Sequence, residues 1–171
     1  IKLPKKLTKE CIFACRNNLC MSLRIQDLEE KTTGKNLYSY QKGAIDKIFE
    51  RFEKSPDDYH LLYQLPTGGG KTVIFSEIVR QYLKHHKSRV LVLTHRIELC
   101  KQTSKMLTEF GVVNKVINSK AKLDDQDDYS CFVAMVETLN NRLNDNVLDI
   151  SDIGLVIIDE AHYNSFTKLF K

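Results

Sequence analysis

Leu65-Pro66-Thr67-Gly68-Gly69-Gly70-Lys71-Thr72 is the stretch on which the fold turns. Ahead of it runs His60-Leu61-Leu62-Tyr63-Gln64-Leu65, apolar and short enough for a buried strand. Behind it Val73, Ile74, Ile78, Val79, Tyr82 and Leu83 recur at helical spacing. Strand, glycine-rich turn and helix are the context that a phosphate-binding loop needs. The glycines Gly68, Gly69 and Gly70 let the backbone curl around an anion and take positive φ. The first N–H groups of the helix lack intrahelical partners and lie at the positive end of its dipole, so they bind phosphate. Lys71 adds a full charge for the β- and γ-phosphates, and the Thr72 hydroxyl can reach Mg²⁺. Leu65 stands where the strict pattern G-x-x-x-x-G-K-[ST] has its first glycine. A plain glycine-rich turn with a surface lysine would explain the loop alone but not its flanks.

The complementary motif lies far downstream. Ile153-Gly154-Leu155-Val156-Ile157-Ile158 reads as a buried strand that ends in Asp159-Glu160-Ala161-His162. An acidic pair closing a buried strand is costly unless a cation or a water network receives it. Asp159 can hold Mg²⁺ through water, which suits a cation that keeps most of its hydration shell. Glu160 is then placed to orient and deprotonate an attacking water.

Between the two motifs, strands alternate with helices. Arg89–Thr94 is a nearly continuous apolar strand, as in a parallel sheet covered on both faces. It hands over at Thr94-His95-Arg96 to a helix with Leu99, Cys100, Thr103, Met106, Leu107 and Phe110 inward and Gly111 as its stop. His95 and Arg96 therefore present donors at the carboxyl edge of the sheet, where open α/β folds bind ligands. Val112–Ile117 and Cys131–Val136 read as strands, and Glu137–Leu143 as a short helix with Thr138 near its start. The loop 118–130 carries Asp124, Asp125, Asp127 and Asp128 without EF-hand spacing, so a solvated loop is expected. Upstream of the loop strand, a helix starts at Ser39 as N-cap, with Tyr40, Ala44, Ile45, Ile48, Phe49 and Phe52 on one stripe. The turn Ser55-Pro56-Asp57-Asp58 ends it. Gln41 in its first turn carries an amide that can donate and accept at once, matching the edge of adenine.

Residues 1–34 begin with Lys2, Lys5, Lys6 and Lys9. Short helices are expected around Lys9–Arg16 and Ser22–Lys31, capping the domain or touching nucleic acid. Cys11, Cys15 and Cys20 form no C-x-x-C pair, so reduced thiols are expected rather than zinc. The 171 residues suffice for one packed domain. A net charge of +4 permits a nucleic-acid partner without requiring one. The longest apolar run, Cys131–Val136, is too short to span a membrane, and no signal-peptide stretch follows the basic start. A cytoplasmic protein is expected.

The phosphate loop Pro66–Thr72 and the Asp159-Glu160-Ala161-His162 box resemble those of the DEAD/DEAH-box group of superfamily 2 helicases. Tyr40-Gln41 resembles that group's adenine-reading glutamine motif. Thr94-His95-Arg96-Ile97-Glu98-Leu99 resembles its strand-gripping motif, in a form closer to the DNA-repair and type I/III restriction motors than to the RNA branch. Met135-Val136-Glu137-Thr138-Leu139 resembles a further strand-contacting motif. Glu137 replaces the relatives' glutamine there, so Thr138 becomes the expected contact.

The resemblance implies an α/β, RecA-like P-loop domain over residues 35–171, mostly parallel and with helices on both faces. Residues 1–34 form an extension of unassigned role. Gln41, Pro66, Thr67, Gly68, Gly69, Gly70, Lys71 and Thr72 would bind ATP. Thr72 and Asp159 would hold Mg²⁺, and Glu160 would activate water. His162 would couple nucleotide state to nucleic acid gripped through His95, Arg96 and Thr138, with DNA favoured over RNA. A second RecA-like domain, absent from these residues, would complete the motor. In such sheets the strand following the acidic box lies between the loop strand and the box strand. The resemblance therefore implies either a fragment of a longer protein or another segment in that place. Two other classes stay open: a nucleotide-binding regulatory module that unwinds nothing, and the motor subunit of a restriction system.

Overall fold

The computed structural model describes residues 10–15, 36–54, 60–66, 68–119, 126–144 and 151–161. Its strands are β1 (Glu10–Cys15), β2 (His60–Gln64), β3 (Arg89–Thr94), β4 (Asn114–Ile117), β5 (Cys131–Met135) and β6 (Ile153–Asp159). Its helices are α1 (Ser39–Glu53), α2 (Lys71–His85), α3 (Ile97–Glu109) and α4 (Val136–Asn144). The strands form one sheet in the order β2-β1-β6-β3-β5-β4. β6, β3, β5 and β4 run parallel, whereas β1 is antiparallel to both β2 and β6. Two reversals restore the direction, so β2 also points the same way as β6. The α/β, mostly parallel arrangement expected from the sequence is what forms.

The apolar runs explain the layering. In β3, Val90 and Val92 join a core with α1, α2 and α3, including Ile45, Ile78, Cys100 and Leu107. The alternate residues Leu91 and Leu93 pack on the opposite face with Val136 and Leu139 of α4. Period-two alternation thus feeds two cores, and a strand covered on both sides has no polar face. Phe75 and Phe132 are wholly buried. Truncating either to alanine would cost about 3–5 kcal/mol.

Three expectations change. Residues 10–15 are a strand, not part of a helix around Lys9–Arg16. The five-residue apolar run Cys11–Cys15 is too short for periodicity to separate helix from strand, and two free strand edges accept it. β1 fills the place between loop strand and box strand, so a segment of this chain occupies that slot. β2 is not buried: it lies at an edge of the sheet with Leu62 exposed, because among the described residues only β1 flanks it. Finally, Tyr38 rather than Ser39 is the N-cap of α1, and Ser39 is its first helical residue. The proposed helix Ser22–Lys31, the turn Ser55–Asp58 and residues 120–125 of the aspartate loop lie outside the described residues. Asp127 and Asp128 belong to a short 3-10 turn. Among the described residues no helix is long and apolar enough to cross a membrane.

Candidate nucleotide and nucleic-acid site

The phosphate loop joins β2 to α2 with the backbone its glycines allow. Gly68 has φ 81° and Gly70 φ 74°, and the Gly69 amide closes a turn onto the Pro66 carbonyl at 3.0 Å. Gly70 is the N-cap of α2, and among the described residues no side chain caps that helix start. Uncapped N–H groups beside a left-handed glycine suit an anion. The Lys71 ammonium donates to the neutral Leu65 carbonyl oxygen at 3.4 Å. Lys71 and Thr72 are both half-buried in the first turn. Thr67 and His162 lie outside the described residues.

Neighbouring side chains explain which glycines the loop needs. A Cβ on Gly69 would come within 2.6 Å of Leu65 Cγ. The leucine that breaks the strict pattern thus occupies space that only a glycine opposite leaves open. A Cβ on Gly70 would come within 2.5 Å of Gln41 Nε2. Gln41 is itself buried, and its Oε1 accepts the Tyr38 amide at 3.0 Å. Its carbonyl half therefore caps α1, while its amide half leans on the phosphate loop. Tyr40 donates from its hydroxyl to the Gly69 carbonyl at 3.1 Å and pins the loop from the same helix. That contact escapes sequence reading. Only the adjacency of Tyr40 to Gln41 hints at it.

Register places the acidic pair. Cys11 of β1 lies opposite Tyr63 on one side and Asp159 on the other, so Asp159 is level with the exit of β2. The two strands stand two interstrand steps apart, about 10 Å. Asp159 is buried, which the aqueous preference of a carboxylate opposes unless charge or hydrogen bonds receive it. Glu160 is half-buried at φ 58°, alone among the described non-glycine residues in the left-handed region. Backbone held in that region gathers at functional sites.

The remaining candidates sit along the same edge. Leu93 pairs with Ile158 and Thr94 with Met135, so the ends of β3, β5 and β6 share one row. Thr94 is buried, and its hydroxyl donates to the Arg96 carbonyl at 3.2 Å and meets Cys100 Sγ at 2.9 Å. This fixes the turn from which His95, half-buried, and Arg96, exposed, project. Burial pushes the Cys100 thiol above its ordinary pKa and keeps it neutral. β5 passes into α4 without a connecting residue, which puts Thr138 in the first helical turn, half-buried beside the exposed Glu137.

Residues 34–171 match the family model described as type III restriction enzyme, res subunit. The chain belongs to this family. Membership bears out the resemblance to the first domain of a superfamily 2 helicase. Among relatives of the res-subunit family domain, IRC3 of Saccharomyces cerevisiae, named for an ATP-dependent helicase, is 34% identical over 148 residues. The match covers 82% of this chain and 21% of IRC3. The replication restart protein PriA of Chlamydia pneumoniae is 33% identical over 133 residues, covering 75% of this chain and 17% of PriA. This res-subunit domain thus spans about a fifth of the curated relatives it matches. Its fold is similar to the UvsW helicase of bacteriophage T4, with a TM-score of 0.52 and 21% identity over 68% of this chain and 42% of that one. It is also similar to the type ISP restriction-modification enzyme LlaGI, solved with a DNA substrate mimic. There the TM-score is 0.59 and the identity 18%, over 80% of this chain and 16% of that one.

Proposed function

We propose that this chain is the ATP-binding domain of an ATP-dependent nucleic-acid translocase or helicase acting in the cytoplasm, with DNA favoured over RNA. Residues 35–171 form that domain and residues 1–34 its extension. A second RecA-like domain completes the motor. The observation that carries this reading is the level register of the two motifs. The uncapped, glycine-lined start of α2 and the end of β6 at Asp159 face one edge, about two strands apart.

In this reading Gln41 selects adenine, and the amides of the loop Pro66–Thr72 with Lys71 hold the phosphates. The Thr72 hydroxyl, and the Asp159 carboxylate through water, would hold Mg²⁺. Bound there, Mg²⁺ would neutralise the charge that develops on the phosphates. Glu160 takes a proton from the attacking water, and His162 relays nucleotide state to the nucleic-acid surface. His95, Arg96 and Thr138 grip backbone phosphates, which gives affinity without base preference.

A restriction motor is the second reading, favoured by the description of the matching family. A nuclease active in the same polypeptide would distinguish it. The test of the common core uses the intact protein that carries this domain. Lys71→Ala should abolish Mg·ATP binding, whereas Glu160→Gln should keep binding and lose turnover. Turnover retained in Glu160→Gln would remove Glu160 from its role. ATP turnover unaffected by either single- or double-stranded nucleic acid would favour the regulatory module instead.

A further inference from the structure

β1 lies ahead of residues 34–171, the part that matches the res-subunit family, yet it stands inside that domain's sheet. It separates two strands that point the same way. One is β2, which feeds the phosphate loop, and the other is β6, which ends at Asp159. Glu10 to Ala14 pair with β2, and Cys11 to Cys15 pair with β6. Among the described residues no other strand pairs with β2. Among those residues, then, the backbone ladder that relates the phosphate loop to the acidic pair runs through β1 alone.

The consequence is a matter of spacing. β1 holds β2 and β6 two interstrand steps apart, about 10 Å. Without it the two could pair directly in parallel, and the distance would fall to about 5 Å. The phosphate loop would keep its other supports. Leu61, Tyr63 and Leu65 pack on the core that α1 and α2 build, and Tyr40 holds the Gly69 carbonyl from α1. What β1 adds is the place of Asp159 relative to that loop, because Cys11 lies opposite both Tyr63 and Asp159. Antiparallel pairing is slightly the stronger per residue, so the ladder itself does not favour a parallel strand in the same slot.

We propose that β1 is a positioning strand of the nucleotide site. It sets Asp159 at the distance from the phosphate loop at which Mg²⁺ joins the two. The working ATP-binding unit therefore includes Glu10–Cys15 and not the matched family domain alone. This rests on the nucleotide reading above and gives part of the extension 1–34 a role.

The test uses the intact protein and titrates a fluorescent ATP analogue in Mg²⁺ and again in EDTA, with thermal melting to confirm folding. Neighbouring residues of a strand bond to opposite sides, so Ile12→Pro with Phe13→Pro removes a donor from each ladder. Affinity in Mg²⁺ should fall about tenfold or more, while affinity in EDTA stays within about twofold of the parent's. An equal fall in both media would mean that β1 supports the fold only, and would overturn the proposal. So would unchanged affinity in Mg²⁺. Should the double variant fail to fold, the strand is tested in Tyr63→Cys, cross-linked to Cys11 and compared with its reduced form. The cross-linked protein should bind the analogue in Mg²⁺ within about twofold of the reduced one. Binding lost on cross-linking would show that β1 must leave the sheet, and no cross-link at all that another strand takes its place. Either result overturns the proposal. An unaltered protein that binds the analogue in neither medium overturns the nucleotide reading itself, and needs no variant to detect.

Discussion

The amide of Gln41 and the α-carbon of Gly70 lie in such close approach that a methyl group at position 70 would come within 2.5 Å of Gln41 Nε2. Gly70 also holds φ at 74°. Position 70 is therefore barred to other residues twice, by backbone and by contact.

Gly70→Ala should weaken binding of a fluorescent ATP analogue by about tenfold or more, since the left-handed region costs a residue with a Cβ about 1–2 kcal/mol before any clash. Adding Gln41→Ala relieves the contact but also removes the adenine-reading amide, so binding should not recover. Recovery to the parent's affinity, read in the same titration, would show that neither the left-handed backbone at 70 nor the Gln41 amide contributes.

Glu160 holds left-handed backbone at φ 58° in a half-buried place. Relief of that strain in Glu160→Gly offsets the extra entropy of glycine in the unfolded chain. The variant should match or exceed the parent in stability, by up to about 1 kcal/mol, or about 2–4 °C in melting temperature. ATP turnover by the intact protein should nonetheless disappear. A clear fall in the melting temperature would mean that the backbone at 160 is not strained.

Cys11 and Tyr63 face each other across the antiparallel β1–β2 pair. Opposed residues in such a pair have α-carbons about 4.5–5.5 Å apart, within disulfide range. Tyr63→Cys should cross-link to Cys11 under mild oxidation, detected by peptide mass mapping. Leu62→Cys, opposite Ile12, should not. A cross-link at 62 in place of 63 would shift the register by one and move Asp159 out of line with the phosphate loop.

His86 stacks on Tyr82 with ring centroids 4.3 Å apart, and its Nε2 is buried with no hydrogen-bond partner among the described residues. Burial, and then the charge of His85, hold its pKa below the ordinary 6.5. The folded state therefore resists the proton that the unfolded chain accepts. The stability contributed by neutral His86 is present above pH 6.5 and is lost as pH falls through the folded pKa. Melting temperature should drop from pH 7.5 toward pH 5.5, and His86→Phe should flatten that slope. An equal slope in the variant would place the pH sensitivity elsewhere.

Much of the site is legible because its signals are local. A left-handed glycine at the start of a helix, a lysine and threonine in its first turn, and an apolar strand closed by two acids each declare themselves within a few residues. The same holds for β3 and α3, where an apolar run and a glycine stop bound the elements. Tyr40 on Gly69 and Leu65 against Gly69 join residues that the sequence does not relate. Nothing in their spacing predicts them.

From Ser39 onward the chain by itself determined the order of strands and helices, the phosphate loop and the acidic pair, because hydrophobic period and glycine chemistry act over neighbouring residues. Only the tertiary structure decided that Glu10–Cys15 is an antiparallel strand between β2 and β6, and that β2 lies at an edge. Strand pairing is made by backbone groups that every residue but proline carries alike, so a short apolar run does not specify its neighbours. The remaining open edges of the sheet do.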